Sequence, residues 1–491
     1  MSAARELPRR VVVAGAGQVG ALAAIALRRA LPQSEVLVVG TPPDPAALAD
    51  RAPTALPFTN RLHDRLGIGE ERLVREAGAS HRLVVRYRGW GGEGHEGVAP
   101  YGAAIDPRLK TRFARDWGGG PRNASTTAPP GSLGEVLAAE GRFQPPSVEP
   151  GSPLAELDYA LRWNPTAYRD LLVGEAQRLG VQYLEGAVSA IALRPDGGID
   201  AIGVGGASEG IAADLYLDCT GPRAALLSQL PEARWRSWQP FLPIRGLQYA
   251  RPGGPVLGLE DRVSLAPVGW RSELGGRDGL QAVVALVEGA TEQAARAALA
   301  TDFADLVALD PGRTEQAWIG NVVALGDAAA TFEPLAWFNL DLAHRQLALL
   351  LELLPGRDPD PRERAEFNRR AGLMADRVCD LLGAHYAAPG AAHLGTPAGP
   401  LERSPELALA LDQYARRGRL PFFEEMPIGV QECSALLEAL GHRPGAGALS
   451  LAADPREGEA ARRAFAAKAS VALEAVPPYG IWLRQVLGPS Q

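Results

Sequence analysis

Ala324-Leu325-Gly326-Asp327-Ala328-Ala329-Ala330-Thr331-Phe332-Glu333-Pro334-Leu335-Ala336-Trp337-Phe338-Asn339-Leu340 is the stretch that decides the fold. It reads as the end of a buried strand, a Gly-Asp turn and the start of a helix. Far upstream, Val11-Val12-Val13-Ala14 runs into Gly15-Ala16-Gly17-Gln18-Val19-Gly20. An Ala/Leu-rich helical pattern follows to about Leu31, and Val36-Leu37-Val38-Val39 makes the next strand. The chain therefore opens with a β-α-β unit, and the predicted class is α/β.

The glycines sit between a strand and a helix, where they permit a tight turn and close backbone approach to a diphosphate at the helix N-terminus. Gly15, Gly17 and Gly20 are the cofactor-binding candidates at this end, Gly326 and Asp327 at the other, and a chain offering both wraps the two ends of FAD. The acid expected at the end of the second strand, for the adenosine ribose, is replaced by Gly40. Asp327 has a second reading as the N-cap of a helix through Ala328–Ala330, since Asp favours that position.

Outward from these anchors, 41–57 reads as loop, 61–66 and 70–77 as helices, and 81–87 as one alternating strand with His81, Leu83, Val85 and Tyr87 on one face. The Gly/Pro/Ser/Thr-rich run 89–153 reads as irregular. A helix is expected over 166–179, strands over 183–193, 199–205 and 215–221, and a largely β substrate-side layer over 234–290. After Asp341 the pattern turns helical. The predicted organisation is a Rossmann-type FAD-binding domain with its β-rich substrate-side layer over 1–345, then a helical C-terminal region over 346–491.

A net charge of −7 gives no basic surface for nucleic acid. No apolar run reaches membrane-spanning length, and the apolar run behind Arg9-Arg10 is short and broken by glycines. Cys219, Cys379 and Cys433 are scattered without metal spacing and are expected as reduced, buried thiols. A cytoplasmic protein with no metal, no nucleic acid and no membrane partner is the expectation.

The segments Tyr159-Ala160-Leu161-Arg162-Trp163-Asn164-Pro165-Thr166-Ala167-Tyr168, Ala317-Trp318, 321–325, 332–335, 367–370 and 384–386 resemble, in order, those of the flavin-dependent tryptophan halogenase-like family within the flavin monooxygenase superfamily. The resemblance covers nearly the whole chain. It implies FAD, an aromatic substrate and a separate flavin reductase. No second nucleotide fingerprint for NADPH is visible.

The departures from that family gather at its chemistry. Its lysine on the strand before a Phe/Tyr-x-x-Trp segment is matched here by His81, with Trp90 downstream. Its Glu-Ser-Thr-Gly continuation after Phe332-Glu333-Pro334-Leu335 is replaced by Ala336-Trp337-Phe338-Asn339, which crowds the small-residue pocket where halide approaches backbone N–H groups. Of its Trp-x-Trp-x-Ile-Pro signature only Trp270 remains, and its Gly-Glu-Ala-Thr-Val-Pro loop stands as Ala52-Pro53-Thr54-Ala55-Leu56-Pro57.

His81 and Glu333 are the catalytic candidates, since imidazole and carboxyl groups shuttle protons near neutral pH. Trp270, Trp337 and Phe338 are candidates for an apolar wall that binds an aromatic substrate. Three readings follow. The first is an FAD-dependent monooxygenase acting on an aromatic or indolic substrate, including tryptophan within a partner protein. The second is an atypical halogenase using His81. The third is a non-catalytic homologue serving as a binding or complex subunit.

Overall fold

The computed structural model describes residues 6–40, 43–102, 131–146, 149, 151–155, 157–205, 210–250, 253–290, 293, 303–395, 399–447 and 455–488. A six-stranded sheet carries the opening unit: β1 (Arg10–Ala14), α1 (Gln18–Ala30) and β2 (Glu35–Gly40). Its strand order is Trp318–Ile319, Val322–Ala324, Leu215–Asp218, β1, β2, Gln182–Glu185, parallel throughout except for the first pair. Val11, Val12 and Val13 are fully buried in this mostly parallel sheet, which is why the strand shows no polar alternation.

α1 is buried from Gln18 to Leu27, sandwiched by the helices Pro165–Arg178 and Phe338–Glu352. The first of these is set by local chemistry: Asn164 caps it by accepting from Thr166 N and Ala167 N, and Pro165 fits the first turn, where no N–H partner is needed.

The substrate-side layer is a seven-stranded sheet ordered Phe303–Ala308, Ile244–Ala250, Gln281–Val287, Gly269–Leu274, Glu260–Ala266, Val84–Arg88, Glu96–Pro100. Helices dominate beyond it: Pro361–Tyr386, Pro405–Arg417, Val430–Ala439, Pro455–Ala475 and Tyr479–Leu487. One hydrophobic core joins the two sheets to most of these helices, with Leu407 and Tyr414 of Pro405–Arg417 in a smaller cluster of their own, and position 345 lies inside Phe338–Glu352. The three cysteines are buried, free thiols. Among the described residues no helix is long and apolar enough to cross a membrane.

The fold corrects several sequence expectations, among them the strand over 183–193, which is two strands, Gln182–Glu185 and Val188–Leu193, in different sheets. The strand expected over 81–87 is two strands, Ser80–Arg82 pairing with Ala160–Arg162, and Val84–Arg88 pairing with Glu260–Ala266 and Glu96–Pro100. A continuous alternation cannot reveal such a change of partner. The run 41–57 holds the short helix Leu48–Arg51, and 89–153 contains Glu96–Pro100 and the helix Leu133–Ala139, the latter capped by Ser132; residues 103–130 of that run lie outside the described ones. Finally, no α-helix starts at Ala328. Gly326–Ala328 is a single tight turn, Ala330–Thr331 is a short strand, and the helix begins at Phe338.

Candidate functional site

The glycine turn is built as its spacing predicts. Gly15 has φ +110°, and a Cβ there would lie 2.2 Å from Cys219 O. A Cβ at Gly20 would lie 1.9 Å from Gly15 O, so the third glycine lets α1 close onto the strand end. Inside the fingerprint, Gln18 Nε2 donates to Asp50 O (2.7 Å) and Ala52 O (3.1 Å), while its Oε1 accepts from Trp163 Nε1 (3.3 Å). This one amide ties the 50–52 segment to α1. A cavity of about 150 Å³ beside the turn is lined by Gly15, Gly17, Asp50, Cys219, Thr220 and Arg223 among others.

The Gly-Asp turn packs against the helix Leu48–Arg51, whose Asp50 lines this cavity. Gly326 has φ +62°, with its N–H donating to Gln346 Oε1 at 2.9 Å. Asp327 is not an N-cap: its Oδ2 accepts from Ala49 N at 2.7 Å and its Oδ1 has no partner. Burial holds the Asp327 carboxyl well above the ordinary aspartate range. An orphaned buried acceptor opposite a bare glycine turn fits a hydroxyl-rich dinucleotide chain, so these residues suit FAD at both ends. Asp218, by contrast, is spent on its own turn, accepting from Thr220 N, Leu226 N and Leu227 N.

Glu333 is fully buried. Its Oε1 accepts from Tyr386 OH at 2.7 Å, and that hydroxyl accepts from Trp270 Nε1 at 3.0 Å. Oε2 has no partner. Burial raises the Glu333 carboxyl to about 7, against the lowering pull of Tyr386. Trp90 lies 6.3 Å from the Tyr386 ring and 5.5 Å from that of His385, so the Tyr386 that holds the carboxyl is itself packed among aromatic rings.

Next to it, Ala336 (φ 57°) and Trp337 (φ 61°) are consecutive left-handed residues, a conformation that costs a side-chain-bearing residue about 1 kcal/mol or more. Trp337 and Phe338 are buried, and Trp337 Nε1 is unpartnered. Trp270 is thus joined to Glu333 through Tyr386, while Trp337 and Phe338 follow Glu333 along the chain.

His81 belongs to a different cluster. Its Nε2 donates to Glu70 Oε1 (3.0 Å), and its Nδ1 lies 3.2 Å from Tyr479 OH, which also accepts from His81 N at 2.8 Å. Phe143, Tyr159, Tyr479 and Trp482 enclose the ring, with Phe143 at 4.1 Å. Burial lowers the His81 pKa despite Glu70. Glu70 is itself held low by His81 and by a short hydrogen bond from Tyr159, which together outweigh its burial. A neutral imidazole donating to a carboxylate satisfies both.

Strand alternation sends the next side chain the other way. Arg82, fully buried, donates to Thr54 Oγ1 (3.1 Å), pairs with Asp261 (3.0 Å) and lies over the Tyr101 ring. Its Nε and Nη2 have no partner. Asp261 also holds Arg162 at 3.0 Å. Arg82, Asp50 and Tyr386 escaped the sequence reading. Only Arg82 left a signal there, a charged residue inside an otherwise buried strand pattern.

The sequence profile of the tryptophan halogenases matches residues 10–416. The chain belongs to the tryptophan halogenase family. It is 24% identical over 420 residues to the tryptophan 7-halogenase RebH of Lentzea aerocolonigenes, covering 77% of this chain and 76% of that protein. It is 26% identical over 425 residues to the tryptophan 6-halogenase SttH of Streptomyces toxytricini, covering 77% and 78%. In fold it matches BrvH, a flavin-dependent halogenase from Brevundimonas sp. BAL3, with a TM-score of 0.85 at 22% identity over 98% of this chain and 99% of that one.

The departures noted in the sequence stand inside this family frame. The chain has two lysines, Lys110 and Lys468. Lys468 lies on the helix Pro455–Ala475, and Lys110 lies outside the described residues.

Proposed function

We propose that the chain is an FAD-dependent monooxygenase that hydroxylates an aromatic or indolic substrate, tryptophan within a partner protein being one form of it. Bound FAD, reduced by a separate reductase, supplies two electrons and activates dioxygen. One oxygen atom converts an aromatic C–H to C–OH, and the other leaves as water with the two protons and two electrons of the reduced flavin.

One observation carries this reading: Glu333 is a buried carboxyl near neutrality with one oxygen unspent. A group poised near the working pH accepts a proton efficiently. In its ionised form Glu333 takes the ring proton on Oε2, while Tyr386 holds Oε1 in place. The apolar side chains of Ala336, Trp337 and Phe338 favour an aromatic ring over a halide beside it, because an anion needs open N–H groups. Gly15, Gly17, Gly20, Gly326 and Asp327 would hold the cofactor. His81 stays in its own cluster, with both ring nitrogens occupied by Glu70 and Tyr479.

The test supplies reduced FAD, labelled dioxygen, and tryptophan or tryptophan-containing peptides in halide-free buffer. Product carrying one labelled oxygen is the expected result; an absence of oxygenated product with every such substrate, from protein that binds FAD, defeats the proposal. A non-catalytic binding subunit is favoured by one observation, the Asp50 carboxylate set against the glycine turn. Protein that stays colourless after FAD incubation would select it.

A further inference from the structure

Gly17 is bare so that a diphosphate can approach the turn, yet something else already lies against it. A Cβ built on Gly17 would be 2.1 Å from Asp50 Cγ and 2.2 Å from each carboxylate oxygen. Asp50 Oδ1 accepts from Val19 N at 3.0 Å, one of the free N–H groups that open α1. The chain's own carboxylate therefore sits in the anion site that the glycine fingerprint creates, where the helix end favours negative charge.

The placement is held from several sides. Asp50 comes from the short helix Leu48–Arg51, whose backbone is fixed by Gln18 and by Asp327. Facing it are Arg169 from Pro165–Arg178, Asp327 from the Gly-Asp turn and Cys219 after Leu215–Asp218. Asp44, paired with Arg223 at 3.0 Å, and Arg51, stacked over Tyr249, complete the charged surroundings. Burial pushes the Asp50 carboxyl up to about 6, with Val19 N–H and Arg169 pulling it down.

We propose that Asp50 sets the affinity of the dinucleotide site: its carboxylate competes with the diphosphate of FAD for the N-terminus of α1, and FAD binds when Asp50 leaves Val19 N–H or becomes neutral. This rests on the cofactor reading above. A diphosphate brought beside an ionised Asp50 meets like charge in a buried site, so binding draws in a proton. Affinity is then highest where Asp50 is already protonated and falls as pH rises past that point, by up to about tenfold per pH unit.

The test measures FAD binding to the full chain by calorimetry and flavin fluorescence at about pH 5.5 and about pH 8, for wild type, Asp50→Asn and Asp50→Ala, with riboflavin as the phosphate-free control. Wild type is expected to bind FAD about tenfold or more weakly at the higher pH, with proton uptake read from buffer-dependent heats. Both variants are expected to bind FAD equally at both pH values and about tenfold more tightly than wild type at the higher one, while riboflavin binding stays flat. Asp50→Asn keeps an acceptor for Val19 N–H, so its result does not depend on a damaged turn. Flat wild-type affinity, variants no tighter than wild type, or a pH dependence that survives Asp50→Asn overturns the role of Asp50 and leaves the cofactor reading standing. No FAD binding by any of the three proteins at either pH overturns both.

Discussion

The glycine turn and the 333–338 segment are built from different materials. At the turn the fit is backbone: Gly15, Gly17 and Gly20 matter for the atoms they lack, and a Cβ at any of them meets an atom within 2.2 Å. At 333–338 the fit is side chain: Glu333 on Tyr386 on Trp270, with Trp337 and Phe338 buried beside them. A backbone site tolerates almost no change where the neighbour is itself backbone, as Cys219 O is for Gly15 and Gly15 O is for Gly20. A side-chain site can exchange its chemistry while the fold stays.

The largest expected effect comes from filling the turn. Gly20→Ala places a Cβ against Gly15 O and is expected to cost at least about 3 kcal/mol, read as a shifted urea midpoint, with loss of FAD binding. Near-wild-type stability would show that the turn can yield after all.

Glu333→Gln is expected to lower hydroxylation about a hundredfold or more while FAD affinity holds within about twofold. Wild-type turnover should rise with pH through about 7 as Glu333 ionises, and the variant should lose that limb. The same carboxyl acts oppositely on stability. Its pKa is raised on folding, so its contribution is complete below the unfolded value and is lost as pH climbs through about 7.

His81→Ala removes a ring enclosed by Phe143, Tyr159, Tyr479 and Trp482 and is expected to cost about 2–4 kcal/mol, with faster amide exchange in the helix Tyr479–Leu487. Because the His81 pKa is lowered on folding, its contribution is full above the unfolded value near 6.5 and fades as pH falls below it. Unchanged stability with lost turnover would instead move His81 to the reacting centre.

The smallest effect belongs to the strained pair. Ala336→Gly relieves a left-handed φ and is expected to raise stability by up to about 1 kcal/mol in thermal unfolding. A loss would show that the Ala336 methyl packs something essential.

How much of this was legible in the sequence follows the same division. The β1-α1-β2 unit was readable because a valine run, glycines at fixed spacing and an Ala/Leu helix are local signals. Glu333 and Asp327 came forward through the family resemblance, and both prove buried. Asp50 was hidden, because its contact with Val19 spans 31 positions and comes from a one-turn helix in a Pro/Asp/Ala-rich stretch. Tyr386 was hidden too: it closes onto Glu333 from the end of a 26-residue helix, and only packing brings the two together. The split of 81–87 was invisible because both halves are buried strands of the same period.

The most direct test of the altered reaction end adds bromide to FAD-loaded protein, reduced continuously by a separate reductase, with a tryptophan-containing substrate and mass spectrometric analysis of the product. Hydroxylated product formed at a rate that bromide does not change is the predicted result. A brominated product would contradict it.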